Sequence, residues 1–108
     1  MENQVRIALV GCNGRMGKVL VEAIGHHPAA RLTAALERPG SAVLGLDVGE
    51  LNGLGSLGVT ITDDLAKVRD AFDLIIDFTR PEATLSHLAF ARAHGKQIVI
   101  GTTGFTDE

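Results

Sequence analysis

A chain of 108 residues with 45% hydrophobic and 21% charged side chains has the composition of one soluble globular domain, ample for a single core and short for a complete two-substrate enzyme. A formal charge of −3, a pI near 5.7 and the lack of Trp and Tyr argue against a nucleic-acid surface. No apolar run reaches membrane-spanning length, the N-terminus carries an acid and no signal-type apolar stretch, and the single cysteine, Cys12, cannot pair internally, so the expected setting is the cytoplasm, away from membranes.

The first element is an apolar run over 5–10 (Val5, Ile7, Ala8, Leu9, Val10), continuous rather than alternating past Arg6, as in a central parallel strand covered on both faces. It enters Val-Gly-Cys-Asn-Gly-Arg-Met-Gly over 10–17 and leaves into an amphipathic pattern of Met16, Val19, Leu20, Ala23 and Ile24. Strand, tight glycine turn, helix is the reading. Such a turn aims unpaired N–H groups and the positive end of a helix dipole at a gap, which attracts phosphate. In that arrangement Gly11 lets the chain reverse, Gly14 lets a pyrophosphate approach the backbone, and Gly17 lets the helix sit close to the strand. The spacing G-x-x-G-x-x-G is one residue longer at the front than the G-x-G-x-x-G fingerprint, so taken alone it also fits a plain strand-to-helix connection. The helix is expected to run to about residue 24, with Gly25 in a left-handed cap and Pro28 beyond it. His26 and His27 in that stop are read as exposed helix-end residues rather than metal ligands.

The next apolar run, over 32–36, closes on Glu37, twenty residues after Gly17. A dinucleotide fold places there the acid that accepts the adenosine ribose hydroxyls. Arg38 follows directly. A carboxylate repels the 2′-phosphate of NADP and a guanidinium pairs with it, so the two neighbours are read as use of both NADH and NADPH. A solvated charge pair at a strand end is the competing account. Residues 39–58 hold six of the thirteen glycines and receive no role. Leu44, Leu46, Val48, Leu51, Leu54 and Leu57 imply that the stretch is partly pinned to the body, while Asp47 and Glu50 read as solvated loop charges.

A short third strand is expected over 59–61. Thr62, Asp63 and Asp64 then read as a helix start with a capping hydroxyl and acids in the first turn. A short helix to about residue 70 leads to a buried fourth strand over 72–78, interrupted only by Asp73 and Asp77. Thr79 and Glu82 have capping-box spacing, and Pro81 suits a first helical turn. That helix continues through Leu85, Leu88, Ala89 and Ala93 to a stop at Gly95, with His87 and His94 on its surface. A fifth strand over 97–100 runs into Gly101, Thr102, Thr103 and Gly104. Thr106, Asp107 and Glu108 look like a helix opening, so the chain reads as a fragment or a domain apart from its partner. Strand and helix alternate throughout, which gives an α/β fold: a Rossmann-like doubly wound parallel sheet in three layers, α/β/α, spanning 1–108. Ligands of such sheets lie across the carboxyl ends of the strands where strand order reverses, and three of these ends, at 11–17, 79–82 and 101–104, carry unusual chemistry.

Together, Val-Gly-Cys-Asn-Gly-Arg-Met-Gly, Ala-Leu-Glu-Arg-Pro-Gly-Ser, and Ile-Asp-Phe-Thr-Arg-Pro-Glu with Val-Ile-Gly-Thr-Thr-Gly-Phe resemble the N-terminal domain of the bacterial dihydrodipicolinate reductase family, the 4-hydroxy-tetrahydrodipicolinate reductases of diaminopimelate and lysine biosynthesis. The resemblance covers essentially the whole chain. It implies that Gly11, Cys12, Asn13, Gly14 and Gly17 hold the pyrophosphate, with Arg15 and Met16 lining the cofactor. Glu37 and Arg38 would meet the adenosine ribose and its 2′-phosphate. Phe78, Thr79 and Arg80 would sit near the ribose and nicotinamide side, and Gly101, Thr102 and Thr103 would contact the nicotinamide, Thr103 also facing the substrate.

The same resemblance implies hydride delivery from NADH or NADPH to a small unsaturated cyclic dicarboxylate. It places the substrate site and a homotetramer interface in a C-terminal domain, with a His-His motif and a catalytic Lys, that is absent from this sequence. His26 and His27 are not that motif, and no catalytic or metal-binding residue is assigned within 1–108. The chain by itself is expected to bind dinucleotide weakly and turn nothing over. Two readings compete: a nucleotide-sensing module, disfavoured by Gly101, Thr102 and Thr103, and another dehydrogenase such as a semialdehyde or homoserine enzyme, disfavoured by Phe-Thr-Arg-Pro through the resemblance.

Overall fold

The central strand is β1 (Val5–Val10), and Ile7, Ala8, Leu9 and Val10 within it are all buried because both of its faces are covered. The computed structural model describes residues 4–77 and 81–100, with side chains from residue 84 onward in the second range. Beside β1 lie β2 (Ala30–Leu36) and β4 (Leu74–Asp77), and β3 (Ile61–Thr62) and β5 (Gln97–Ile100) form the edges. All neighbouring pairs are parallel, in the order β3-β2-β1-β4-β5. The chain therefore fills the sheet from its centre to one edge, then crosses back to lay β4 on the other side of β1. Strand order reverses between β1 and β4, where a doubly wound sheet opens its ligand crevice.

The two faces carry separate cores. On one, Ile7 and Leu9 pack with Val21 and Ile24 of α1 (Arg15–Gly25), together with Cys12, Val48 and Ile61. On the other, Ala8, Val10, Ala34 and Leu36 lie beneath Leu65 and Phe72, at the two ends of a 3-10 helix (Leu65–Ala71), and Ala91 of α3 (Pro81–His94). These are the three layers that the strand and helix alternation predicts. A bulge in β2 sets which side chain faces which layer. The ladder pairs Ile7 with Leu32 but Ala8 with Ala34, skipping Thr33, so Leu32 and Ala35 face α1 while Ala34 and Leu36 face α3. The skipped Thr33 donates its hydroxyl to the Ile7 carbonyl at 3.4 Å.

Five local expectations are corrected. Asp47 is no solvated loop charge. It caps a one-turn helix, α2 (Val48–Leu51), and its carboxylate accepts the amides of Glu50 at 3.0 Å, Leu57 at 3.0 Å and Val59 at 2.9 Å. These donors, led by the Leu57 amide, hold its pKa below the ordinary carboxylate value. With the Val59 amide committed to Asp47, parallel pairing to β2 starts only at Ile61, so β3 is shorter and later than 59–61. The 3-10 helix is capped by Asp64, accepting the Ala66 amide at 2.9 Å, rather than by Thr62. The fourth strand begins at Leu74, where pairing with Ile7 and Gln97 starts, instead of 72; Phe72 lies fully buried ahead of it, and Asp73 forks with Arg6 at 3.0 Å on both oxygens. Finally, α1 ends without a left-handed glycine. Its cap is His26, at φ −96°, whose amide reaches the Glu22 and Ala23 carbonyls, and Gly25 remains helical. Gly95, at φ 68°, does end α3 as its position predicts.

Candidate functional site

The carboxyl ends of β1 and β2, with the first turn of the 3-10 helix and the middle of α3, enclose a cleft of about 520 Å³. It brings together Gly11, Gly14, Glu37 and Arg38 from the residues that sequence singles out. The glycine turn has the geometry its composition calls for at two of three positions. Gly11 sits at φ 84°, and the Gly11 and Cys12 amides both donate to the Leu36 carbonyl, at 2.9 and 3.2 Å, tying the turn to the end of β2. At Gly17 a Cβ would stand 2.2 Å from the Gly11 oxygen, so only glycine lets α1 lie this close to the turn. Gly14 differs. It is the extended N-cap of α1, at φ −75° and ψ 173°, and a Cβ there would meet the Gly11 oxygen at 3.4 Å, an ordinary contact. The fold does not demand glycine at 14, which leaves access to the backbone as the reason for one.

The helix that follows has no capping side chain and no acid in its first turn. Its leading end keeps its positive partial charge and offers amides to an anion. Glu37 is anchored on the turn itself: one carboxylate oxygen accepts the Asn13 amide at 2.8 Å and the other the Arg38 amide at 3.3 Å. Half-buried and fixed from two sides, this carboxylate is poised at the end of β2. Arg38 beside it is exposed and makes no ion pair among the described residues.

The remaining expected residues divide by position. The Cys12 side chain is fully buried in the α1-side core rather than in the cleft, and burial, reinforced by the Glu37 charge, pushes the thiol up to about 12. Arg15 and Met16 are exposed on the first turn of α1, outside the cleft lining. Phe78, Thr79 and Arg80, the capping box with Glu82, and Gly101, Thr102 and Thr103 lie outside the described residues or side chains.

Sequence reasoning missed the wall opposite Glu37. His87, read as helix surface, lines the cleft with Phe90, and its Nδ1 lies 2.7 Å from Oδ2 of Asp77, a fully buried carboxylate at the end of β4. A charge at the end of a strand this apolar was the available signal, with a histidine on the next helix as its candidate partner. Asp63 and Asp64 close the third side with Leu65 and Ala66. His94, by contrast, is exposed and rests on the Phe90 ring at 4.2 Å between centroids. No group of three or more His, Cys, Asp or Glu among the described residues could hold a metal ion, and none of the described helices is long and apolar enough to cross a membrane.

A parallel sheet of this order, with a glycine turn after its central strand and an anchored acid after the next, is a Rossmann-like α/β domain, the architecture of dinucleotide-binding proteins. The chain belongs to the family described as dihydrodipicolinate reductase, N-terminus, whose model matches residues 5–108. Among solved structures it is similar to the dipicolinate-bound dihydrodipicolinate reductase from Paenisporosarcina sp. TG-14, at 27% identity and a TM-score of 0.73, over 96% of this chain and 39% of that one. This chain thus spans about two fifths of that relative's length. An amine dehydrogenase from Mycobacterium smegmatis matches at 24% identity and a TM-score of 0.77 over 89% of this chain and 29% of its own. GenD2 from gentamicin A biosynthesis, solved in complex with NAD, matches at 20% identity and a TM-score of 0.72 over 91% and 26%. At these identities the last two share the fold.

Proposed function

We propose that this chain is the cofactor-binding part of a 4-hydroxy-tetrahydrodipicolinate reductase and binds both NADH and NADPH across the carboxyl rim of its sheet. The observation that carries the reading is the anchored Glu37 carboxylate beside the Arg38 guanidinium, which has no ion pair among the described residues, both on a cleft that opens at the uncapped end of α1. The amides of that first turn would hold the diphosphate, Glu37 the adenosine ribose, and Arg38 the 2′-phosphate when one is present. Family membership and the NAD-bound neighbour support the same assignment. The remaining proposed contacts, Phe78, Thr79 and Arg80, then Gly101, Thr102 and Thr103, would lie along the nicotinamide half, Thr103 next to the substrate.

The bound cofactor would supply hydride to a cyclic dicarboxylate of lysine and diaminopimelate biosynthesis in the cytoplasm. What this chain contributes is grip and orientation of that cofactor. The substrate carboxylates and the proton donor call for a C-terminal domain, which would also build the homotetramer. The chain alone is therefore proposed to bind cofactor without turnover. Titration of the full chain with NADH and with NADPH, read by nicotinamide fluorescence, tests the reading. Saturable binding of both is expected, followed by turnover once a C-terminal portion is added. A folded chain that binds neither would overturn it.

A further inference from the structure

We infer that Asn13 is a self-modification site: its side chain deamidates through the Gly14 amide when the cleft is empty, dinucleotide binding is lost with it, and bound dinucleotide holds the reaction off. The loss and the shielding rest on the dinucleotide reading; the reaction itself does not. Asparagine before glycine is open to this chemistry because glycine has no Cβ to screen its own amide nitrogen. The chain holds two such pairs, Asn13–Gly14 and Asn52–Gly53, in different settings. Asn52 ends α2 with its carboxamide donated to the Val48 carbonyl at 2.8 Å, and the Gly53 amide is bonded to the Glu50 carbonyl at 3.2 Å, inside the loop that Asp47 pins. Asn13 is half-buried, and no hydrogen bond engages its side chain among the described residues. Gly14 beside it is exposed and donates its amide to the Gly11 carbonyl at 3.1 Å, the bond that must open for the reaction.

The Gly14 nitrogen gives its proton to solvent and attacks Cγ of Asn13. The new N–Cγ bond closes a succinimide ring, and the side-chain nitrogen leaves as ammonia. Water then adds to either ring carbonyl and the corresponding C–N bond breaks, leaving an aspartate or an isoaspartate at position 13, with no change of oxidation state. Both products spoil the turn. The new carboxylate stands next to the uncapped end of α1, where it competes with a diphosphate for the positive amides, and next to Glu37, whose carboxylate already accepts the amide of residue 13 at 2.8 Å. The isoaspartate also lengthens the main chain by one carbon. This turn has no slack for it, since a single Cβ at Gly17 would stand 2.2 Å from the Gly11 oxygen. A diphosphate seated against Gly14 covers the attacking nitrogen and holds the turn in its closed form.

In the test, the freshly purified full chain is incubated at pH 8 without ligand and with saturating NADH, then followed by tryptic mass mapping and by fluorescence titration with NADH. Trypsin cuts after Arg6, Arg15, Arg31 and Lys67, so the two pairs fall in separate peptides. Without ligand, Asn13 is expected to convert several-fold faster than Asn52, with NADH-binding capacity falling in step with the fraction converted. Saturating NADH should slow Asn13 several-fold and leave Asn52 unchanged, which separates local shielding from general stabilisation. Asn13→Ser should keep the capacity it starts with through the same incubation; the wild type carries the test should that variant fail to fold or bind. Conversion of Asn13 no faster than Asn52, capacity that survives full conversion, or saturable NADH binding that does not slow Asn13 would overturn the inference and leave the dinucleotide reading standing. A folded fresh chain that converts Asn13 but never binds NADH would overturn the dinucleotide reading, and with it the loss and the shielding, while the modification site stands.

Discussion

Replacing Gly17 with Ala tests how tightly α1 is drawn against the phosphate turn. Alanine is the better helix former by about 1 kcal/mol, so on propensity alone the change in α1 should stabilise the protein. The local geometry opposes this. The new Cβ would lie 2.2 Å from the Gly11 oxygen and 2.8 Å from both the carbon and the oxygen of the Cys12 carbonyl, against the 3.0 Å that real Cβ atoms keep. All three are backbone atoms, so no side chain can rotate away, and helix and turn must separate by about 0.8 Å. The turn cannot yield freely, because the Gly11 and Cys12 amides are bonded to the Leu36 carbonyl at 2.9 and 3.2 Å. The helix cannot either, because Val21 and Ile24 anchor it in the core. Overpacking of about 1–3 kcal/mol and weakening of those two hydrogen bonds, set against the propensity gain, leave Gly17→Ala less stable by about 1–3 kcal/mol. For a domain of this size that lowers Tm by roughly 5 to 20 °C. Urea and thermal unfolding followed by circular dichroism would measure it. Gly14→Ala is the control: its Cβ meets the same oxygen at 3.4 Å, so it should cost about 1 kcal/mol or less while weakening dinucleotide binding. A Gly17→Ala variant as stable as the wild type would refute the close-approach argument.

Arg38→Ala should weaken NADPH binding more than NADH binding, by about 1–3 kcal/mol, and equal loss for both would remove the 2′-phosphate role. The Cys12 thiol, buried and pushed up to about 12, should resist iodoacetamide at pH 8 in the native protein and react on unfolding; native-state labelling at the rate of a free thiol would contradict its placement. Asp47→Ala strips the shared acceptor from the Glu50, Leu57 and Val59 amides, so hydrogen exchange should accelerate across residues 47–59 while β1 stays protected. The wild type should do the same in acid. The Asp47 pKa is lowered in the folded chain, so its stabilising contribution is complete above the unfolded carboxylate value near ~3.9 and is lost as pH falls through the lower native one. Exchange in this loop that ignores pH between 5 and 2, relative to the rest of the sheet, would count against the cap.

Elements marked by a local apolar run were readable in the sequence. The run Ile7, Ala8, Leu9, Val10 could only be a strand covered twice, and Gln97–Ile100 stood out between Gly95 and Gly101. Gly11 and Gly17 were legible because a tight turn and a close helix leave room for nothing else. What escaped were features made by one side chain reaching across the chain. Asp47 gathers amides up to twelve residues away, and nothing in a glycine-rich stretch marks which acid will do so. Its claim on the Val59 amide also moved the start of β3. Asp77 and His87 are ten residues apart on different elements, and their pairing exists only once α3 packs beside β4. Thr62 reads as the cap on paper, with Asp64 in the first turn, but the helix starts at Leu65 and Asp64, directly before it, takes the capping role.

The most direct measurement is a crystal structure of this chain grown with excess NADPH. The account predicts a diphosphate on the first-turn amides of α1, a ribose on the Glu37 carboxylate and the 2′-phosphate against Arg38. NADPH bound elsewhere, or a cleft filled by the protein's own side chains, would contradict it.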